Sequence, residues 1–170
     1  NSNGICASSE ELITCETILC ALPPFQLDST NNVSCTAGVD GKIHVSATAD
    51  AFFVLGTDTS ELGQTAIFDQ LPANTYKILV LDASKLCRDT LTATINEPDN
   101  LNVQITESRA LSCFGSNDGA ISTIATGGTA PYNYSWSSLT DPTLDFNEAN
   151  TLSDLPPGEY RILVTDGNNC

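Results

Sequence analysis

Residues 155–170 read LPPGEYRILVTDGNNC, and residues 71–87 read LPANTYKILVLDASKLC. Leu71-Pro72, Tyr76, Ile78-Leu79-Val80 and Asp82 map onto Leu155-Pro156, Tyr160, Ile162-Leu163-Val164 and Asp166, with identical spacing from leucine to tyrosine to aspartate. The upstream ends match too. Cys35 opens CTAGVDGKIHVSATA and Cys113 opens CFGSNDGAISTIATG; each runs Cys, four residues, Asp-Gly, one residue, Ile, then a β-rich stretch. Cys35 and Cys113 lie 78 positions apart, Cys87 and Cys170 lie 83 apart. The chain therefore holds two divergent copies of one unit, with a few residues inserted in the second. Self-similarity at such a period is the mark of a repeat architecture.

This frame divides the 170 residues. The opening NSNGIC resembles the tail TDGNNC of a copy. Residues 1–22 are expected to be the last strand of a preceding repeat plus a Cys-rich insertion holding Cys15 and Cys20. Residues 23–97 form the first repeat and 98–170 the second, whose last strand is missing. With Asn1 at its start and no Met anywhere, the chain reads as an internal piece of a longer, processed protein.

Strand signals dominate: β-branched residues, period-two alternation, and Gly, Pro, Asn and Asp between the runs. Strands are expected at about 25–31, 41–48, 51–55, 65–70, 75–81 and 89–96 in the first repeat. In the second they are expected at about 101–108, 119–126, 131–137, 150–154 and 159–165. A helical stripe is discernible only in SSEELITCETILC, residues 8–20. Short strands at 8–12-residue spacing over about 80 residues point to an all-β protein of tandem immunoglobulin-like β-sandwich repeats, head to tail.

Six basic residues against 21 acidic ones give a net charge of −15. Such a surface repels a phosphate backbone, which argues against a nucleic-acid partner. No apolar run approaches the ~20 residues of a membrane helix, so no membrane insertion is expected. Seven cysteines with no close Cys-x-x-Cys pair and a single His, His44, favour disulfides in an oxidising compartment over zinc.

The second repeat carries C-x-G-x-x-x-G-x-I, then G-G-x-x-P-Y-x-Y-x-W, then L-x-x-G-x-Y, ending in V-x-D-x-x-x-C. The residues are Cys113, Gly115, Gly119, Ile121, Gly127-Gly128, Pro131-Tyr132, Tyr134, Trp136, Leu155, Gly158, Tyr160, Val164, Asp166 and Cys170. This resembles the SprB repeat of very long surface adhesins of gliding Bacteroidetes, exported by the type IX secretion system. The first repeat departs from the pattern: ADAFFVLGTDTS, residues 49–60, has neither the Gly-Gly-x-x-Pro-Tyr run nor the tryptophan.

Tyr132, Tyr134 and Trp136 alternate and so share one face of a strand. They form either one inner face of a sandwich, with Trp136 as its plug and Tyr160 as a further core aromatic, or a platform for a sugar ring. The first repeat has Phe52-Phe53-Val54-Leu55 there, which keeps the hydrophobicity and loses the platform. Gly127-Gly128 precedes a proline and a strand rather than a helix, so it reads as a turn, not a phosphate cradle. His44 reads as a solvated strand residue. No catalytic constellation recurs in the two copies, and no enzyme activity is expected.

In a sandwich the loop after the first strand and the loop before the last lie at opposite ends. An eight-residue strand is about 26 Å long, and a disulfide needs Cα atoms within about 7 Å. Head-to-tail stacking then favours a Cys35–Cys170 staple, leaving Cys87 and Cys113 for other units and Cys15 for Cys20. The rival pairing is internal, Cys35–Cys87 and Cys113–Cys170. The same stacking gathers oxygen ligands for calcium, from Asp40, Glu97, Asp99, Asn100, Asp166 and Asn168; the alternative is solvated turn residues. Asp28-Ser29-Thr30 and Asp89-Thr90-Leu91 resemble the short O-glycosylation motif of the same bacterial phylum, which makes Ser29 and Thr90 modification candidates.

The resemblance implies a repeat segment of a long adhesin filament of the gliding-motility type. It would be held at the outer membrane of the cell surface, with structural and adhesive work. Its partners would be neighbouring repeats, a surface polysaccharide or substratum, and the gliding and secretion machinery. The competing expectation is a spacer or carbohydrate-binding region of a secreted multidomain hydrolase.

Overall fold

The computed structural model describes the chain except residues 1, 2, 10, 11, 19, 145 and 147, with residues 3–9 and 12–18 described through their backbone alone. The described residues are all-β, with thirteen strands and no helix, so no helix is long and apolar enough to cross a membrane. The chain divides into two compact units. The first is Asn1–Val33 with Val39–Asn96; the second is Ser34–Gly38 with Glu97–Cys170.

The first unit begins with an antiparallel hairpin of β1 (Asn3–Ser9) and β2 (Leu12–Ile18), whose backbone register sets Cys6 opposite Cys15. Within the helical stripe read over residues 8–20, Leu12–Ile18 forms a strand. Then follow β3 (Phe25–Asn31), β4 (Gly41–Leu55), β5 (Asp58–Thr59), β6 (Gly63–Leu71), β7 (Asn74–Asp82) and β8 (Arg88–Ile95). The strands expected at 41–48 and 51–55 are one strand of 15 residues. Nothing in SATADAFF, residues 46–53, forces a break: there is no glycine or proline to stop the ladder. Instead the register shifts between Ser46 and Ala51. The front half of β4 pairs with β3 and β6, and its rear half pairs with β7, which pairs in turn with β8. Inward residues of both halves meet in one core: Ile43, Val45, Ala51, Phe53, Ala66, Phe68, Ile78, Val80, Ala93 and Ile95. Phe53 is fully enclosed, a burial that stabilises by about 2–3 kcal/mol. This pairing is consistent with an immunoglobulin-like order.

Among its described residues the second unit has five strands. Strand β9 (Asn102–Arg109) pairs with β10 (Gly119–Thr126), which pairs with β12 (Thr151–Leu155). Strand β11 (Asn133–Ser138) pairs with β13 (Tyr160–Thr165). Here the counterpart of β4 is broken in two. Gly127 and Gly128 take φ of +73° and +58°, and the Ala130–Pro131 peptide is cis. An L side chain at Gly127 would drive its Cβ into the Asn100 carbonyl oxygen. Left-handed backbone at close quarters is what glycine permits, and the chain uses it to leave one sheet and enter the other.

In each unit a tyrosine ties the approach to its strand. Tyr76 Oη donates to Pro72 O at 2.7 Å, and Tyr160 Oη donates to Pro156 O at 2.6 Å. This is the tyrosine-corner geometry of sandwich folds.

Candidate functional site

The Leu-to-Cys motif shared by the two copies ends in a turn, and that turn is the most heavily bonded polar feature of the second unit. Asp166 is fully buried. Its Oδ1 accepts from the Asn168 N–H and the Cys170 N–H, both at 2.9 Å, and its Oδ2 accepts from the Thr129 N–H at 2.8 Å. The Asp166 N–H closes the turn onto Cys170 O at 3.3 Å, and Gly167 N–H donates to Thr129 O at 2.6 Å. The bonds from Cys170 and Thr129 hold the carboxyl below its ordinary range, against the opposing effect of burial. A buried carboxylate is costly unless such donors replace its water. In the first unit Asp82 does the same. Its Oδ1 accepts from the Cys87 N–H at 2.8 Å, Oδ2 accepts from the Ser84 hydroxyl, and its N–H donates to Cys87 O at 3.1 Å. The Ser84 hydroxyl and then the Cys87 N–H lower its pKa. The recurring aspartate and cysteine are thus two ends of one clamped turn.

Cys170 is bonded to Cys35, with Cα atoms 5.7 Å apart. Both belong to the second unit, because residues 34–38 group with it although their flanks run in the first. Side chains fix that short excursion. Glu97 Oε2 accepts from Ala37 N–H at 2.9 Å, Thr36 Oγ1 donates to Pro98 O at 3.1 Å, and Asn168 Nδ2 donates to Ser34 O at 2.8 Å. Cys87 is bonded to Cys20, with Cα atoms 5.3 Å apart. This corrects two expectations: Cys20 does not pair with Cys15, and Cys87 is not left for another unit. Of Cys15 only the backbone position is described. The internal pairs Cys35–Cys87 and Cys113–Cys170 are absent, and Cys113 is an exposed free thiol.

Cys113 opens a second turn, also organised by an aspartate. Asp118 Oδ1 accepts from the Ser116 hydroxyl at 2.7 Å and the Ser112 N–H at 3.1 Å. The Ser116 hydroxyl first, and Ser112 after it, draw its pKa down to about 2. The Arg109 guanidinium donates to the Asp118 carbonyl at 2.8 and 3.1 Å.

Three of the residues expected to gather calcium are engaged otherwise. Asp166, Asn168 and Glu97 already serve backbone partners within the second unit. Asp40 groups with the first unit, and Asp99 and Asn100 with the second. Among the described residues no group of three or more His, Cys, Asp or Glu is placed to hold a metal. A cation at Asp166 would have to displace three N–H donors.

Tyr134 and Trp136 share one face of β11, Tyr132 lies just before it, and all three are half-buried, so Trp136 is not the enclosed plug expected. Trp136 Nε1 donates to Ala149 O at 2.8 Å, and Tyr132 Oη donates to Gly127 O at 2.7 Å. Those polar edges, which a sugar platform would offer to ligand hydroxyls, are spent on the chain itself. Tyr160 meets Phe146 edge to face at 5.9 Å. Ser29 and Thr90 are both exposed. A cleft of about 550 Å³ runs from Arg109 and Leu111 past Ile121 to Leu155 and Tyr160. Its lining holds no carboxylate, His or Cys.

The signal that sequence reading missed is in plain view. An aspartate recurs four or five positions before the closing cysteine of each copy. That spacing suits a side chain that bonds its own turn rather than one left free for a cation. No curated protein matches the chain. Residues 109–141 fit the family model of the SprB repeat, a stretch of the second copy from the end of β9 through the Gly127-Gly128 break and β11.

Proposed function

We propose that the chain is a repeat segment of a long cell-surface adhesin filament of the gliding-motility type, with structural and adhesive work. The observation that carries this is the SprB match lying within one of two copies of the same all-β unit. The covalent arrangement supports it. Two disulfides fit an oxidising compartment outside the cytoplasm. Twenty-one acidic residues against six basic ones suit a repeat that spaces and presents. In this reading the filament is attached at the outer membrane after type IX export. It contacts neighbouring repeats of its own chain, the gliding and secretion machinery, and a surface polysaccharide or the substratum.

The test is antibody labelling of intact cells, followed by adhesion and gliding assays with the same antibody. Labelling without permeabilisation, together with loss of attachment or spreading, supports the proposal. Labelling that needs permeabilised cells refutes it.

A further inference from the structure

The chain has six basic residues against 21 acidic ones, and three of the six, Lys77, Lys85 and Arg88, meet on one face of the first unit. The register of β4, β7 and β8 sets that face out row by row. Phe52 stands opposite Leu81, and Leu81 opposite Arg88. Val54 stands opposite Leu79, and Leu79 opposite Thr90. Lys77 stands opposite Thr92, and Thr75 opposite Thr94. Successive strand residues point to opposite faces, and the residues of the other parity, such as Phe53, Ile78, Val80 and Ala93, are buried in the core. The rows therefore form the outer face of the sheet. Its apolar members are half-buried, and Lys77, Arg88 and the threonines are exposed.

The charge of this face is opposite in sign to that of the chain. Lys85, in the turn between β7 and β8, holds its Nζ 4.2 Å from the centre of the Phe52 ring, so a third cation lies over the apolar end. The rows themselves contain no carboxylate. Leu81 and Lys77 mark the rows of the two outer bases, about 13 Å apart along the strand. Between and beyond them lie hydroxyls, and those of Thr75 and Thr94 stand 3.2 Å from each other. Protein interfaces draw their energy from aromatic and arginine anchors seated in pockets, and threonine is under-represented among such anchors. A sheet face of threonines and cations around a small apolar centre suits a different partner, one that is itself hydroxylated and anionic.

We infer that this outer face of the first unit is a docking surface for an acidic polysaccharide. Its carboxylates meet Arg88, Lys85 and Lys77, its hydroxyls meet the threonines, and the C–H face of a sugar ring lies on Val54 and Leu79. The inference rests on the adhesive reading above, and adds to it the class of polysaccharide and the face that takes it. Charge complementarity carries the choice: on a chain of net charge −15, a polyanion is repelled by most of the surface and so is steered to the one face where bases gather.

The experiment measures the affinity of the full chain, produced unglycosylated so that Thr90 is bare, for immobilised polygalacturonate, dextran and polyglutamate. Binding is expected on polygalacturonate alone, and it should weaken as salt rises. Lys77→Gln/Arg88→Gln should lower that affinity at least roughly tenfold, and the charge-keeping Lys77→Arg/Arg88→Lys should retain it. Lys42→Glu, on the front half of β4, is the control: it changes the net charge by the same amount and should bind as the parent does. Circular dichroism checks that each variant is folded. An equal loss in Lys42→Glu overturns the inference, because net charge alone then governs binding. Tighter binding to polyglutamate overturns it in favour of an acidic protein. Absence of binding to polygalacturonate overturns it and leaves the cell-labelling result untouched. Labelling of permeabilised cells alone removes the filament reading, whatever the chain binds.

Discussion

Removing the Cys35–Cys170 bond should destabilise the second unit and leave the first nearly untouched. Val33 N–H donates to Asn96 O at 3.1 Å inside the first unit, so the chain leaves that unit twice from one place. One exit leads within two residues to Cys35; the other leads through the second unit to Cys170. When the second unit alone unfolds, the bond therefore closes a loop of about 75 residues. The chain-entropy relation gives about 4.5 kcal/mol for such a loop, and native disulfides commonly deliver about 2–4 kcal/mol. Trp136 is the single tryptophan and lies in the second unit, so its fluorescence reports that unit's unfolding. With a guanidinium slope of about 2 kcal/mol per M for a unit of this size, a Cys35→Ser/Cys170→Ser double variant should lose about 1–2 M in midpoint. A Cys20→Ser/Cys87→Ser variant is the control, since both residues belong to the first unit. It should leave the Trp136 midpoint within a few tenths of a molar. An unchanged midpoint in the first variant, or an equal loss in the control, refutes the reasoning.

Three further outcomes follow from the same geometry. Asp118 and Asp166 are held below the ordinary carboxyl pKa of 3.8, Asp118 at about 2. The stability they lend is complete above about pH 4 and is lost as pH falls toward 2. The Trp136 midpoint should fall across that window, and Asp166→Asn should start lower and fall less steeply. Gly128→Ala places a Cβ 2.7 Å from Asp166 Oδ2 at a φ of +58°; calorimetry should show a loss of about 1–3 kcal/mol confined to the second unit. Phe53→Ala empties the centre of the first core and should cost about 3–5 kcal/mol. Circular dichroism should register that loss at denaturant concentrations where Trp136 fluorescence is still native.

The duplication was legible because it rests on covalent order: Leu-Pro, Tyr, Ile-Leu-Val, Asp and Cys hold their spacing whatever the packing. The strands that flank those residues were legible for the same reason, as were the turns at Gly127-Gly128. What was hidden depends on neighbours distant in sequence. Residues 46–53 carry strand residues throughout, and only the shift of partners from β6 to β7 shows where one sheet role ends and the next begins. Asp166 looks like any loop carboxylate until Thr129, 37 positions upstream, is seen to bond it. Cys20 sits close to Cys15 in sequence, which suggested a local pair, but its thiol is carried to Cys87, 67 residues on. Residues 34–38 interrupt the first copy in sequence and belong to the second unit by contact, a division that no periodicity reveals.

The Cys35–Cys170 bond is what the proposed structural work of the repeat depends on most, and stretching a single molecule between residues 1 and 170 tests it most directly. With Cys35 bonded to Cys170, the covalent path between the ends passes through only the first 35 residues, and β4 to β13 lie outside it. The oxidised chain should therefore extend by no more than about 120 Å at any force below bond rupture, against about 600 Å for the reduced chain. An oxidised chain that unravels to the full 600 Å would contradict the account.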